Sequence, residues 1–123
     1  MTDSLRILTV DDSVSMRALL KHALAGNGFN VVQAEDGQEA LDWLAINDID
    51  VIITDINMPR LDGFGLIEAL RGCERHRDRP ILVLSTESSE DKKARARAAG
   101  ATGWIVKPFD ADKLVAAVRR IAH

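Results

Sequence analysis

Cysteine is nearly absent from this chain. Cys73 is the single one among 123 residues, which excludes an internal disulfide and most cysteine-based metal sites and fits a reducing compartment. No apolar stretch approaches the roughly 18 residues needed to span a bilayer. The start, Met1-Thr2-Asp3-Ser4, is polar and acidic and lacks a signal-peptide core. A cytoplasmic location without membrane insertion is therefore expected. Basic excess is missing too: 16 lysines and arginines face 19 acids, a net charge of -3. Nucleic-acid binding through a basic surface is thus not expected. There is no Walker phosphate loop, and Gly63-Phe64-Gly65 lacks the third glycine and the preceding strand of a dinucleotide fingerprint. His22, His76 and His123 are scattered, which points away from a zinc or histidine-base cluster.

What is present is ordinary in bulk and informative in order. Hydrophobic residues at 46% and charged residues at 28% are globular values, and the length suits one domain over residues 1–123. Short apolar runs alternate with helical patterns. Strands are expected at about Arg6–Val10, Asn30–Ala34, Val51–Thr54, Ile81–Leu84 and Gly103–Val106. Met16, Leu19, Leu20, Ala23 and Leu24 recur at helical spacing after the cap Ser13, with Gly26 or Gly28 as the stop. Asp36-Gly37-Gln38-Glu39 reads as a capping box for a second helix, with Ala40, Leu41, Leu44 and Ala45 as its buried stripe. Phe64, Ile67 and Leu70 mark a third helix after the Asp62-Gly63 turn. Asp110 caps a last one with the stripe Leu114, Val115, Val118 and Ile121.

The fourth helix, about Ser89 to Ala99, has only alanines for an apolar side (Ala94, Ala96, Ala98, Ala99). It should be held weakly to the sheet, either as a solvated element or as one able to shift during signalling. The loop Arg71–Arg79 is charge-rich and of mixed sign, and its simplest reading is a solvated connection. Strict alternation over five units implies a parallel sheet covered by helices on both faces.

Charge collects at the strand ends. Asp11-Asp12 follows the first strand, Asp55 the third, and Lys107 the fifth. Acids at the carboxyl ends of neighbouring parallel strands share one crevice. Carboxylates held that close repel unless a divalent cation, a lysine or both sit among them. Alone, an Asp-Asp step is usually a turn and a lysine before proline is unremarkable. Their joint placement points to a metal and a phosphoryl group.

Asp11-Asp12, Asp55, a hydroxyl ending the fourth strand and Lys107-Pro108 together resemble the receiver domain of two-component response regulators. The resemblance runs from Arg6 to the C-terminus and is nearest the stand-alone chemotaxis regulators of the CheY type. It implies an α/β fold, a flavodoxin-like (βα)5 three-layer sandwich with strand order 2-1-3-4-5. It also implies Asp55 as phosphoryl acceptor and a magnesium ion held by Asp12, Asp55 and the backbone carbonyl of Asn57, with Asp11 in support. Lys107 would pair with Asp55 and then with the phosphoryl group. Ser85, not Thr86, lies 22 positions before Lys107, the usual family interval, and so takes the switching hydroxyl role. Trp104 stands where the family places a switching aromatic, which turns inward as the hydroxyl vacates space. Asn57 and Glu87 would tune the attacking water, in a pattern suggesting rapid loss of the phosphoryl group. Lys107-Pro108 often carries a cis peptide in such proteins.

By the same resemblance the chain acts on no substrate but itself and is a monomer. Its donor would be a CheA-like histidine kinase or a histidine phosphotransfer protein. Its output would be the flagellar motor switch protein, or else onward transfer in a phosphorelay or phosphate sink. Ser88, Ser89 and Glu90, with Ala117, depart from the basic or small residues and the lysine usual in motor-binding members. A haloacid-dehalogenase-type phosphatase would need a second acid where Asn57 stands.

Overall fold

The computed structural model describes residues 5–122; Met1–Ser4 and His123 lie outside them. Five strands form one parallel sheet in the order β2-β1-β3-β4-β5. They are β1 (Arg6–Val10), β2 (Asn30–Ala34), β3 (Val51–Thr54), β4 (Ile81–Ser85) and β5 (Gly103–Val106). The helices that alternate with them are α1 (Val14–Ala25), α2 (Gly37–Leu44), α3 (Gly63–Arg71), α4 (Glu90–Ala99) and α5 (Ala111–Ile121). The expected alternation and strand order are met, and β4 runs one residue further, to the hydroxyl of Ser85.

Side chains alternate across each strand and so build two cores. Leu8, Val10, Ile52, Ile81 and Val83 pack against Leu44 of α2, Phe64, Ile67 and Leu70 of α3 and Ala96 of α4. Ile7, Val51, Ile53, Leu82 and Leu84 face Leu20 and Leu24 of α1 and Leu114, Val115 and Val118 of α5. β3 and β4 are buried along their whole length, because helices cover both faces of the sheet.

Every helix begins on a side-chain cap, which satisfies backbone N–H groups that have no partner within the helix. Ser13, Asp36, Asp62, Ser89 and Asp110 accept from Met16, Glu39, Gly65, Lys92 and Lys113 respectively. The Asp36 box differs in one detail: Glu39 reaches back to the N–H of Glu35, one residue before the cap. Gly26, not Gly28, caps the end of α1.

Four residues of the expected apolar faces are exposed. Leu19 is 55% exposed, since it lies beside the α1 stripe. Ala45 is exposed, because α2 ends at Leu44 and the chain turns away. On α4 only Ala96 is buried, Ala99 partly so, while Ala94 and Ala98 face solvent. One buried methyl group contributes far less than the roughly 1.5–3 kcal/mol of a buried Leu or Phe, so α4 is indeed the least anchored helix by apolar area.

The Arg71–Arg79 segment is mostly exposed, as expected of a solvated connection, but Arg71 and His76 anchor it to the fold. Arg71 donates to the carbonyl of Gly100 at 2.7 and 3.0 Å and to those of Arg77 and Arg79. It thereby ties the loop to the left-handed C-cap of α4. Burial pushes its guanidinium pKa down, and the nearby charge of Asp78 offsets that shift only in part. His76 is 2% exposed, with Nε2 2.8 Å from the carbonyl of Leu44, while Arg75 pairs with Asp48 at 2.8 Å. Polar ties to backbone carbonyls anchor this corner, and apolar periodicity carries no trace of them.

Candidate functional site

The β1 and β3 strands are neighbours with Val10 opposite Thr54. The residues after them, Asp11-Asp12 and Asp55, therefore emerge side by side. One carboxylate oxygen from each lies within 4.8 Å of the others. Asp11 is 1% exposed, the Asp55 side chain is largely buried and Asp12 faces solvent at the mouth. At an effective dielectric near 20, two like charges about 4 Å apart repel by about 4 kcal/mol.

Lys107, just past β5, supplies the counter-charge. Its Nζ stands 2.8 Å from Asp11 Oδ2 and 2.8 Å from Asp55 Oδ2, with the lysine side chain only 9% exposed. Burial works against the ammonium, but the hydrogen bonds to Asp11 and Asp55 outweigh it and hold the Lys107 pKa above the usual lysine value. The remaining oxygens of the two buried acids take backbone donors: Asp11 Oδ1 accepts from Ser13 at 2.9 Å and Asp55 Oδ1 from Ile56 at 2.6 Å. One ammonium against three carboxylates leaves two negative charges, with oxygen as the only donor type. That is the electrostatic demand of a hard divalent cation.

Ser85 closes β4 and is fully buried, whereas Thr86 is exposed. The backbone of Ser85 accepts from the Lys107 N–H at 2.8 Å, which locks the ends of β4 and β5 together. Its hydroxyl accepts from the N–H of Glu87 at 3.2 Å. Trp104 is partly buried and packs against the core beneath α3 and α4. Its indole N–H donates to the Glu87 carbonyl at 3.0 Å. The Glu87 carboxylate is paired with Lys92 of α4 at 2.5 Å. Glu87 therefore links the buried hydroxyl, the aromatic ring and the first turns of α4. The Lys107-Pro108 bond is cis.

Asn57 is exposed in the loop after β3. The N–H of Gly63 closes that loop on the Ile56 carbonyl at 2.8 Å. A Cβ at Gly63 would lie 2.3 Å from the Asp55 carbonyl oxygen, so only glycine lets α3 begin this close to Asp55. At the far side of the loop, Arg60 pairs with Asp36 at 2.9 Å. The sequence identified Asp36 only as a helix cap and offered no sign of Arg60, because their partnership spans 24 positions.

Comparison with known proteins gives one answer. Residues 7–119 match the family described as the response regulator receiver domain. The chain is 38% identical to the chemotaxis protein CheY of Pseudomonas aeruginosa, covering 95% of each. It is 41% identical to the response regulator MprA of Mycobacterium tuberculosis, but spans only 50% of that protein's length. Among solved structures, the chemotaxis response regulator CheY4 of Vibrio cholerae superposes with a TM-score of 0.91 at 42% identity, covering 97% of this chain and 99% of that one. The receiver domain of a sensor histidine kinase of P. aeruginosa, solved with magnesium in its active site cleft, gives 0.91 at 25% identity, covering 98% of both chains.

Proposed function

Because the chain belongs to the response regulator receiver domain family, we propose that it accepts a phosphoryl group from a histidine kinase on Asp55 and signals by changing conformation. The observation that carries this reading is Lys107 Nζ, 2.8 Å from both Asp11 and Asp55 at the carboxyl end of the sheet. Asp12, Asp55 and the Asn57 carbonyl would hold magnesium, with Asp11 in support. Three close carboxylates with one lysine and no thiol or imidazole fit that ion. When bound, it supplies positive charge to the phosphoryl oxygens.

An Asp55 oxygen forms the new O–P bond while the P–N bond of the donor phosphohistidine breaks, its electron pair staying on the imidazole nitrogen. Lys107 passes from the carboxylate to a phosphoryl oxygen as a compact point charge. The Ser85 hydroxyl, which accepts from Glu87, turns to donate to the same group. Release of Glu87 loosens its bond to Trp104 and its pair with Lys92, and α4 shifts because so little apolar area holds it. The chain acts on no substrate but its own carboxylate and works in the cytoplasm as a monomer.

Chemotaxis is the favoured output, on the likeness to CheY and CheY4 over nearly their full lengths. A phosphorelay or phosphate-sink role is the second reading, favoured by Ser88, Ser89, Glu90 and Ala117 at the places where motor-binding members differ. Two experiments test these readings. Acetyl phosphate with Mg²⁺ should label the wild type and not Asp55→Asn; equal labelling of both would sink the acceptor assignment. Protein activated with beryllium fluoride and Mg²⁺ should capture a flagellar motor switch protein that the Asp55→Asn bait does not. Capture of a histidine phosphotransfer protein alone would favour the relay or sink.

A further inference from the structure

We propose that the Arg60–Asp36 ion pair is a positioning device for the acceptor site, holding the loop between β3 and α3 so that the Asn57 carbonyl stays placed to share a cation with Asp55. The inference rests on the phosphoacceptor reading and extends it to two residues that touch neither the cation nor the phosphoryl group.

Arg60 has φ 66, the one positive φ outside glycine among the described residues. It is the middle residue of a three-residue turn in which Leu61 N–H donates to the Pro59 carbonyl at 2.8 Å. A turn of this kind with positive φ is rare and strained for any residue with a Cβ. Glycine would adopt it at no steric cost. Arginine is therefore an unfavourable choice for the backbone, and its side chain must account for it.

That side chain forms a fork on Asp36. Nε donates to Oδ2 at 2.9 Å and Nη2 to Oδ1 at 3.1 Å. The Asp36 side chain is 7% exposed and that of Arg60 57%, so a largely buried carboxylate meets an accessible guanidinium. Capping α2 needs only the bond from Glu39 N–H to Asp36 Oδ1 at 2.8 Å, which asparagine or serine would accept equally well. A carboxylate here exceeds what the helix requires, as arginine exceeds what the turn requires. Each choice is explained by the other.

A second contact makes the joint rigid. Gly37 N–H donates to the Leu61 carbonyl at 3.1 Å, and a Cβ on Gly37 would lie 2.5 Å from that oxygen. The Asn57–Asp62 loop is thus closed at its base by Gly63 N–H on the Ile56 carbonyl and pinned at its far side to the first turn of α2. Asn57 lies within this doubly held span. Freeing one side leaves the Asn57 backbone less ordered, and ordering it again opposes cation binding.

The test compares the wild type with Arg60→Gly, Asp36→Asn and the double variant. Arg60→Gly removes the fork and relieves the turn, while Asp36→Asn keeps the cap. Circular dichroism and urea unfolding verify that each variant folds. Mg²⁺ affinity is read by calorimetric titration without any phosphodonor, and labelling by acetyl phosphate is followed as a function of Mg²⁺. Each single variant should weaken Mg²⁺ about fivefold, less than the roughly 10–100-fold loss typical when a group bonded directly to a metal ligand is removed. The double variant should lose no more than either single one, and saturating Mg²⁺ should restore the labelling rate. Wild-type Mg²⁺ affinity in Arg60→Gly, or losses that multiply in the double variant, would overturn the inference. Failure of the wild type itself to be labelled while it binds Mg²⁺ with the predicted pattern would instead overturn the phosphoacceptor reading alone.

Discussion

Replacing Lys107 with methionine should destabilise the protein at neutral pH, and Mg²⁺ should restore much of the loss. The substitution keeps the length of the apolar stem and deletes a charge whose side chain is 9% exposed and paired with two acids at 2.8 Å. Removing one partner of a buried ion pair costs about 3–5 kcal/mol, because a charge is left buried without compensation. Here three carboxylates within 4.8 Å of one another lose the ammonium paired with two of them. Urea unfolding at pH 7 in EDTA should therefore place the variant about 3 kcal/mol below the wild type. Added Mg²⁺ should narrow that gap, since a cation bound to the folded state stabilises it by mass action.

The alkaline limb gives an independent reading. The folded pKa of Lys107 is raised above 10.5, so the pair's contribution is fully present below that value. It is lost as pH rises through the folded value. Wild-type stability should fall in that window, and the variant should lack this component. A gap of equal size with and without Mg²⁺, or an unchanged alkaline limb, would mean that Lys107 acts by packing alone.

Three further outcomes follow from other parts of the fold. Gly63→Ala should cost about 2–3 kcal/mol by urea unfolding, since its Cβ would fall 2.3 Å from the Asp55 carbonyl oxygen; a neutral effect would show that the start of α3 relaxes freely. Arg71→Met should speed hydrogen exchange at Gly100 and Ala101, whose N–H groups bond the end of α4, by about tenfold or more through loss of bonds worth about 1.5–3 kcal/mol each; unchanged exchange would remove Arg71 as the anchor of α4. The Arg60 hydrogen bonds hold the Asp36 carboxyl below its usual 3.8, so its contribution is present above that value and lost as pH falls through the folded pKa. Acid titration of stability should accordingly lose part of its slope in Asp36→Asn, and an identical slope would exclude the pair as a source of stability.

The order of elements was legible in the chain because each carries a local signature. Ile7–Val10 and Val51–Thr54 are apolar runs too short for helices, and Ser13, Asp36, Asp62 and Asp110 mark helix starts by their own side-chain chemistry. The site was legible for the same reason: a charged residue directly after an apolar strand must emerge at the strand's end. Strand order was not legible from periodicity, which is the same for any neighbour, and came from the family resemblance. Where periodicity misled, at Leu19, Ala45 and most of the α4 alanines, the residues lie at the margin of a stripe or past a helix end.

By itself, then, the sequence determined which residues could form strands and helices and which charges would stand at strand ends, since both depend on neighbours a few positions away. Only the tertiary structure decided that Lys107 reaches Asp11 as well as Asp55, that Arg71 holds the end of α4, that His76 is buried, and that Arg60 grips Asp36. Each of these joins residues far apart in the chain through directional bonds to a carboxylate or a backbone carbonyl. Such bonds depend on where folding places both partners, and leave no period in the sequence.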